Sequence, residues 1–324
     1  MAALTQVQLA GRLDPEIADF IPGTLPPNLP AGDLTVEQVR AVDRGLATMP
    51  ASAGSSEWIE RPDSSRLELR RYLPTTLNTE ISRSVILWIH GGGMFLGSAR
   101  QDDAQASELS EALGIRIASV DYRLAPEHPY PESLDDCYTA LQWLADRYDR
   151  VVVVGASAGG GLAAGLALLA RDRRGPEIAG LQLVYPMLDD RGTDGARTLA
   201  DTFVWNLRLN RVGWDAYLGD HEADHCAAPA RATDLSGLPP TYLDTGELDL
   251  FCDEDTVYAD RISSSGGRID FFLDEGVPHG FDLIAPDAAV SRAAVARRRA
   301  WLTSILREGV ADAAGAATRL ERAS

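Results

Sequence analysis

The sequence predicts an α/β architecture: a mostly parallel, twisted central sheet with helices on both faces. Two observations carry that expectation. From Ser84 onward, short apolar runs rich in branched residues alternate with amphipathic or Ala-rich stretches of helical spacing. Within that alternation, Val151-Val152-Val153-Val154 empties into Gly155-Ala156-Ser157-Ala158-Gly159 and then an Ala/Leu/Gly-rich stretch, which reads as a buried strand turning sharply into a helix.

Along the chain, residues 1–54 are expected to form N-terminal helices of a cap. Polar and apolar positions alternate there around a Pro-rich break, Ile21-Pro22-Gly23-Thr24-Leu25-Pro26-Pro27, and Thr35 to Val42 has helical spacing with Asp33 as its expected cap. A core over 55–186 opens with β-like patterns at Trp58-Ile59-Glu60 and at Leu67 to Tyr72. Strands are expected at Ser84 to Ile89, Ile115 to Val120 and Gly180 to Tyr185, with an amphipathic helix from Ser133 to Ala145. The rhythm breaks over 187–229, where Thr202 to Leu207 and Val212 to Leu218 are aromatic-rich and helical in spacing. An insertion after a sheet strand lies over the C-terminal edge of the sheet. It is therefore expected to complete the cap above an apolar pocket, with Trp205 and Trp214 either lining that pocket or forming the cap's own core. The core resumes over 230–309, with strands at Pro240 to Gly246 and Arg268 to Leu273 and a helix around Ala293 to Leu306. The Ala-rich residues 310–324 read as a frayed tail.

Chemistry concentrates at the ends of these strands. Gly-x-Ser-x-Gly after a buried strand describes a nucleophile elbow, whose flanking positions must be small and whose Ser157 hydroxyl is pushed into the open. Gly91-Gly92-Gly93, after the strand ending at His90, can bring bare backbone N–H groups up to a developing oxyanion. Downstream, Asp249 follows one strand and His279 the last one. In that chain order of nucleophile, acid and base, His279 would take the Ser157 proton and Asp249 would orient the imidazole. Asp253 and Glu247 stand close enough in sequence to remain alternatives for the acid.

These motifs resemble those of the hormone-sensitive-lipase-like family of α/β-hydrolases, which includes bacterial carboxylesterases. The matching residues are His90-Gly91-Gly92-Gly93, the stretch from Asp121 through Tyr122-Arg123-Leu124-Ala125-Pro126-Glu127-His128-Pro129 to Pro131, Gly155 to Gly160, Ser236-Gly237-Leu238-Pro239-Pro240 and His279-Gly280-Phe281, together spanning roughly residues 55 to 305. The resemblance implies an α/β-hydrolase fold with a helical cap. It also implies a Ser157–His279–Asp249 triad and an oxyanion hole formed by the amides of Gly92, Gly93 and Ala158. The chain departs from the family pattern at Ala156, at Met94 and at Leu250-Phe251; the last leaves the acid the softest of these assignments. The expected activity is hydrolysis of short- to medium-chain acyl esters through an acyl-enzyme, with no cofactor and no metal. An amide or carbamate hydrolase using the same triad, or a non-catalytic small-molecule receptor on the same fold, stands as an alternative.

Composition narrows the field further. The chain has 324 residues, 30 basic and 48 acidic, for a formal net charge of −18, which argues against nucleic-acid and anionic-membrane partners. A small-molecule ester is the expected partner, and a homo-oligomer is open. All the basic residues are arginine, so lysine Schiff bases, phosphate-loop lysines, Ser-x-x-Lys hydrolases and Tyr-x-x-x-Lys dehydrogenases are excluded. The 3 cysteines have no metal-like spacing and read as reduced thiols; with no secretory pattern at Met1 to Gln6, a cytoplasmic location is expected. Two motifs read as coincidences. Gly155-x-x-x-Gly159-x-Gly161 mimics a dinucleotide turn but carries Ser157 at its centre. His221-Glu222-Ala223-Asp224-His225 mimics a zinc-peptidase helix between flanks that leave little room for one. His128 reads as a structural loop residue, and His90 as a residue that orders the glycine loop.

Overall fold

A computed structural model describes residues 3–21, 32–46 and 54–323. Eight strands form one sheet: β1 (Ser55–Glu60), β2 (Arg66–Tyr72), β3 (Ser84–Ile89), β4 (Arg116–Val120), β5 (Arg150–Ala156), β6 (Gly180–Val184), β7 (Thr241–Gly246) and β8 (Ile269–Asp274). Their order is β1-β2-β4-β3-β5-β6-β7-β8, with β2 antiparallel to both of its neighbours and the rest parallel. The continuous valine run of β5 follows from its central place. A parallel strand covered on both faces has no polar side to present. Val151 and Val153 pack against helices Glu132–Ala145 and Ala158–Arg173, whereas Val152 and Val154 face Leu302 and Ile305 on the opposite side. Burying each valine contributes about 1.5–3 kcal/mol, so β5 is anchored from both sides at the point where it must hold a strained turn.

The N-terminal helices Gln6–Ala10 and Pro15–Ala18 lie on the rim rather than on the sheet. Leu9 packs with Leu199, Phe203 and Leu248, Leu4 N–H donates to the Thr198 carbonyl, and Asp14 N–H donates to the Gly276 carbonyl. Helix Val36–Leu46 starts from Thr35 instead of the expected Asp33 cap. The Thr35 hydroxyl accepts from Gln38 N–H while the Gln38 side chain accepts from Thr35 N–H, so one residue pair satisfies two otherwise orphaned groups. The Pro-rich break after Ile21 lies outside the described residues apart from Ile21 itself.

Two further expectations change. Thr202 to Asn206 is not helical; the helix is Leu207–Leu218, capped by Asn206, whose side chain accepts from the amides of Arg208 and Leu209. Just before it, Val204 takes a left-handed φ of 65°, which breaks any helix there. The C-terminal helix runs Ala289–Ala323, so the backbone expected to fray continues as helix. Alanine's high helix propensity accounts for that continuation. Among the described residues, no helix is long and apolar enough to cross a membrane.

Candidate active site

Parallel register sets the site. β3 and β5 pair Ile89 with Gly155, so His90-Gly91 and Ala156-Ser157 leave the sheet side by side at its C-terminal edge. Ser157 adopts φ 56° and ψ −123°, a strained conformation for a non-glycine residue. The neighbouring glycines are forced by packing. A Cβ on Gly155 would sit 2.1 Å from the Gly159 carbonyl oxygen, and one on Gly159 would sit 2.1 Å from that of Ile89. No larger residue fits so tight a turn between a strand and a helix. The same crowding accounts for the glycine spacing that mimics a dinucleotide turn.

Three side chains from distant loops meet at this turn. His279 Nε2 lies 2.9 Å from Ser157 Oγ, and His279 Nδ1 lies 2.7 Å from Asp249 Oδ2. Asp249 is fully buried, and its Oδ1 accepts from Phe251 N–H at 3.0 Å. His279 is held edge-on between Tyr185 and Phe251, with ring centroids 4.7 and 5.2 Å away. The alternative acids are occupied elsewhere. Asp253 accepts from Gly195 N–H, while Glu247 accepts from Gly276 N–H and pairs with Arg12 at 2.6 Å. The residues at Leu250-Phe251, where the family pattern is broken, thus supply both an N–H for the carboxylate and a wall for the imidazole.

The glycine loop is held beside Ser157 from behind. Gly92 and Gly93 have φ of 115° and 59°; a Cβ on Gly93 would lie 2.3 Å from the Trp205 ring. Among the described residues, no acceptor within the protein takes the amides of Gly92, Gly93 or Ala158. His90 is buried, stacks on Tyr122 at 4.1 Å and has Nδ1 2.7 Å from the Gly91 carbonyl oxygen. Burial pushes its imidazole down to about 4, so it stays neutral and orders the loop. The Asp121 to Pro131 stretch supports the same loop. Asp121 accepts from Ala99 N–H, Tyr122 O–H donates to the His90 carbonyl, and Arg123 donates to the buried Asp136. His128 faces Glu132 at 2.8 Å, on the carboxylate oxygen that also accepts from Arg123, and makes no contact with the Ser157, His279 and Asp249 side chains.

A cavity of about 750 Å³ opens onto Ser157 and His279, with Trp205, Val204 and Tyr185 in its wall. Trp205 therefore lines the cavity, while Trp214 is buried in the main apolar core beside Tyr217. The cavity also takes in Trp88 and Asp102, which periodicity and motif spacing did not single out. Asp102 could have been found only from its place just beyond the glycine loop. Glu254 was missed as well. Its carboxyl accepts from the amides of Leu188 and Asp189, tying the first cap residues to the helix after Asp249, and burial raises its pKa.

Other clusters have different chemistry. His221 and His225 lie in turns with no helix beneath them, so the geometry of a zinc-peptidase motif is missing. His225 instead faces Asp172 at 2.7 Å. The three cysteines are free, and burial raises the thiols of Cys226 and Cys252 to about 12, which makes them poor nucleophiles.

Known proteins resemble this chain in sequence and fold. A family profile described as "alpha/beta hydrolase fold" matches residues 86–283. The carboxylesterase NlhH of Mycobacterium tuberculosis is 32% identical over 301 residues, covering 86% of this chain and 92% of that protein. An arylesterase of Saccharolobus solfataricus is 29% identical, covering 83% of this chain and 92% of that protein. Among solved structures, a bacterial heroin esterase superposes with a TM-score of 0.79 at 35% identity, covering 93% of this chain and 98% of that one. Esterase LipW of Mycobacterium marinum superposes at 0.80 with 29% identity, covering 91% and 96%. With the profile match spanning most of the chain and the strand order observed here, the protein belongs to the α/β-hydrolase family, among its hormone-sensitive-lipase-like members.

Proposed function

We propose that the protein is a serine carboxylesterase that hydrolyses short- to medium-chain acyl esters through an acyl-enzyme. The observation that carries this reading is the hydrogen-bonded line from Ser157 Oγ through His279 to the buried Asp249. Ser157 O–H donates to Nε2, and Nδ1–H donates to the carboxylate, which fixes the tautomer that leaves Nε2 able to accept a proton. As Ser157 Oγ attacks the ester carbonyl, His279 takes its proton and Asp249 stabilises the imidazolium. The amides of Gly92, Gly93 and Ala158 are free to receive the oxyanion, where each such donor is worth ~10²–10³ in rate. His279 then returns the proton to the departing alcohol, and a water activated by the same imidazole releases the acid. Three free cysteines favour a reducing compartment, and we assign the protein to the cytoplasm.

Ser157→Ala tests the reading. Turnover of a p-nitrophenyl short-chain ester is expected to fall on the order of 10⁶-fold while the fold is retained. A fluorophosphonate should add covalently at Ser157. Activity that survives the substitution, or label mapped elsewhere, removes Ser157 from the mechanism.

A further inference from the structure

The cavity that opens onto Ser157 also contains a carboxylate for which ester hydrolysis has no use. Asp102 precedes the helix Asp103–Leu113 but makes no capping hydrogen bond to it. Its Oδ2 instead accepts from the Trp88 indole N–H at 2.7 Å, and both side chains line the cavity. The surrounding charges are already matched, except at the exposed Arg292 and Asp287, where the guanidinium donates to the backbone carbonyl of Asp287 rather than to its carboxylate. Glu108 pairs with Arg299 at 2.6 Å, Arg298 is shared between Asp244 and Asp282, and Asp103 is engaged by Arg70 and Tyr72. Among the described residues no cation pairs with Asp102, whose side-chain partners are the indole and the neutral amide of its neighbour Gln101.

That arrangement is costly unless something completes it. Enclosure pushes the Asp102 carboxyl up to about 6, so at neutral pH it is mostly an anion, partly buried and without a countercharge among the described residues. A cationic ligand would restore the missing charge, and the face of the neighbouring indole attracts cations too. The net charge of −18 draws cations toward the protein from a distance. We propose that Asp102 and Trp88 form an ammonium subsite in the substrate cavity, so that the preferred esters carry an alkylammonium group. This inference rests on the esterase reading above, which makes the cavity a substrate cavity.

The test uses acetate esters of trimethylammonio alcohols of increasing spacer length, each compared with its uncharged carbon isostere. At the best spacer the ratio of kcat/KM, cation over isostere, is expected to reach about tenfold or more. In Asp102→Asn that ratio should fall toward one. Asparagine keeps an oxygen for the Trp88 N–H, so a merely structural Asp102 would leave the ratio as it was. A wild-type ratio at or below one for every spacer, with the isosteres hydrolysed, overturns the subsite and leaves the esterase standing. If no ester is hydrolysed, the esterase reading fails. The subsite is then decided by calorimetric titration of butyltrimethylammonium into the full chain: binding that Asp102→Asn removes supports it, and equal or absent binding overturns it.

Discussion

Replacing Asp249 with asparagine isolates one proton. The carboxylate uses both oxygens: Oδ1 accepts from Phe251 N–H at 3.0 Å, and Oδ2 faces His279 Nδ1 at 2.7 Å. The substituted amide would keep its oxygen on the Phe251 N–H, because the opposite flip sets two donors against each other in a fully buried site. The amide NH₂ then points at Nδ1, which must accept. The imidazole proton is driven to Nε2, 2.9 Å from Ser157 Oγ, where a general base needs a lone pair. A wrong tautomer with intact geometry costs ~10⁴ in kcat, or about 5 kcal/mol of transition-state stabilisation. The assay is kcat on a p-nitrophenyl short-chain ester, with circular dichroism and thermal midpoint confirming that the fold is intact. Asp253→Asn serves as the control. Its carboxylate accepts from Gly195 N–H, a bond the amide oxygen can keep, so less than about a tenfold loss is expected. A larger loss at Asp253, or an Asp249→Asn enzyme within tenfold of wild type, would refute the argument.

Three other perturbations probe the supporting structure. Gly93→Ala would push a Cβ to 2.3 Å from the Trp205 ring and displace the loop. kcat is expected to fall ~10²–10³-fold, the value of one lost oxyanion donor, and a change of less than threefold would detach Gly93 from catalysis. Arg298→Met would strand Asp244 and Asp282, both buried or nearly so, and urea unfolding should show a loss of about 3–5 kcal/mol. Unfolding within 1 kcal/mol of wild type would show the triplet to be dispensable. His90 gives a dependence on pH. Its folded pKa of about 4 lies below the ordinary value of 6.5, so between those values the unfolded chain binds more protons and stability drops as the medium is acidified. The loss reaches about 2 kcal/mol by pH 5. In His90→Asn the decline in unfolding free energy from pH 7 to pH 5 should be shallower by that amount; an identical slope would place the acid sensitivity elsewhere.

The sequence carried those parts whose cause is local. A valine run buried on both faces, the small residues of the Ser157 turn and the triple glycine after His90 each answer to neighbours a few positions away. Sterics and hydrogen bonding at that range leave their mark in the residue types themselves. Cap geometry was less legible. Val204 with its left-handed φ and Asn206 with its two accepted amides end the non-helical stretch, and helical spacing alone did not foresee either.

Only the tertiary structure shows which of Asp249, Asp253 and Glu247 reaches His279, since all three lie within seven residues and differ in how the turn after β7 and the start of the helix Cys252–Ser264 aim them. The contact between His279 and Ser157 joins residues 122 positions apart. It exists because the parallel register of the strands carries both loops to one edge of the sheet. The separate fates of Trp205 and Trp214, and the unmatched charge of Asp102, are likewise properties of enclosure. Whether a side chain faces a cavity, a core or a counterion depends on what other segments pack against it, and no local pattern of residues records that.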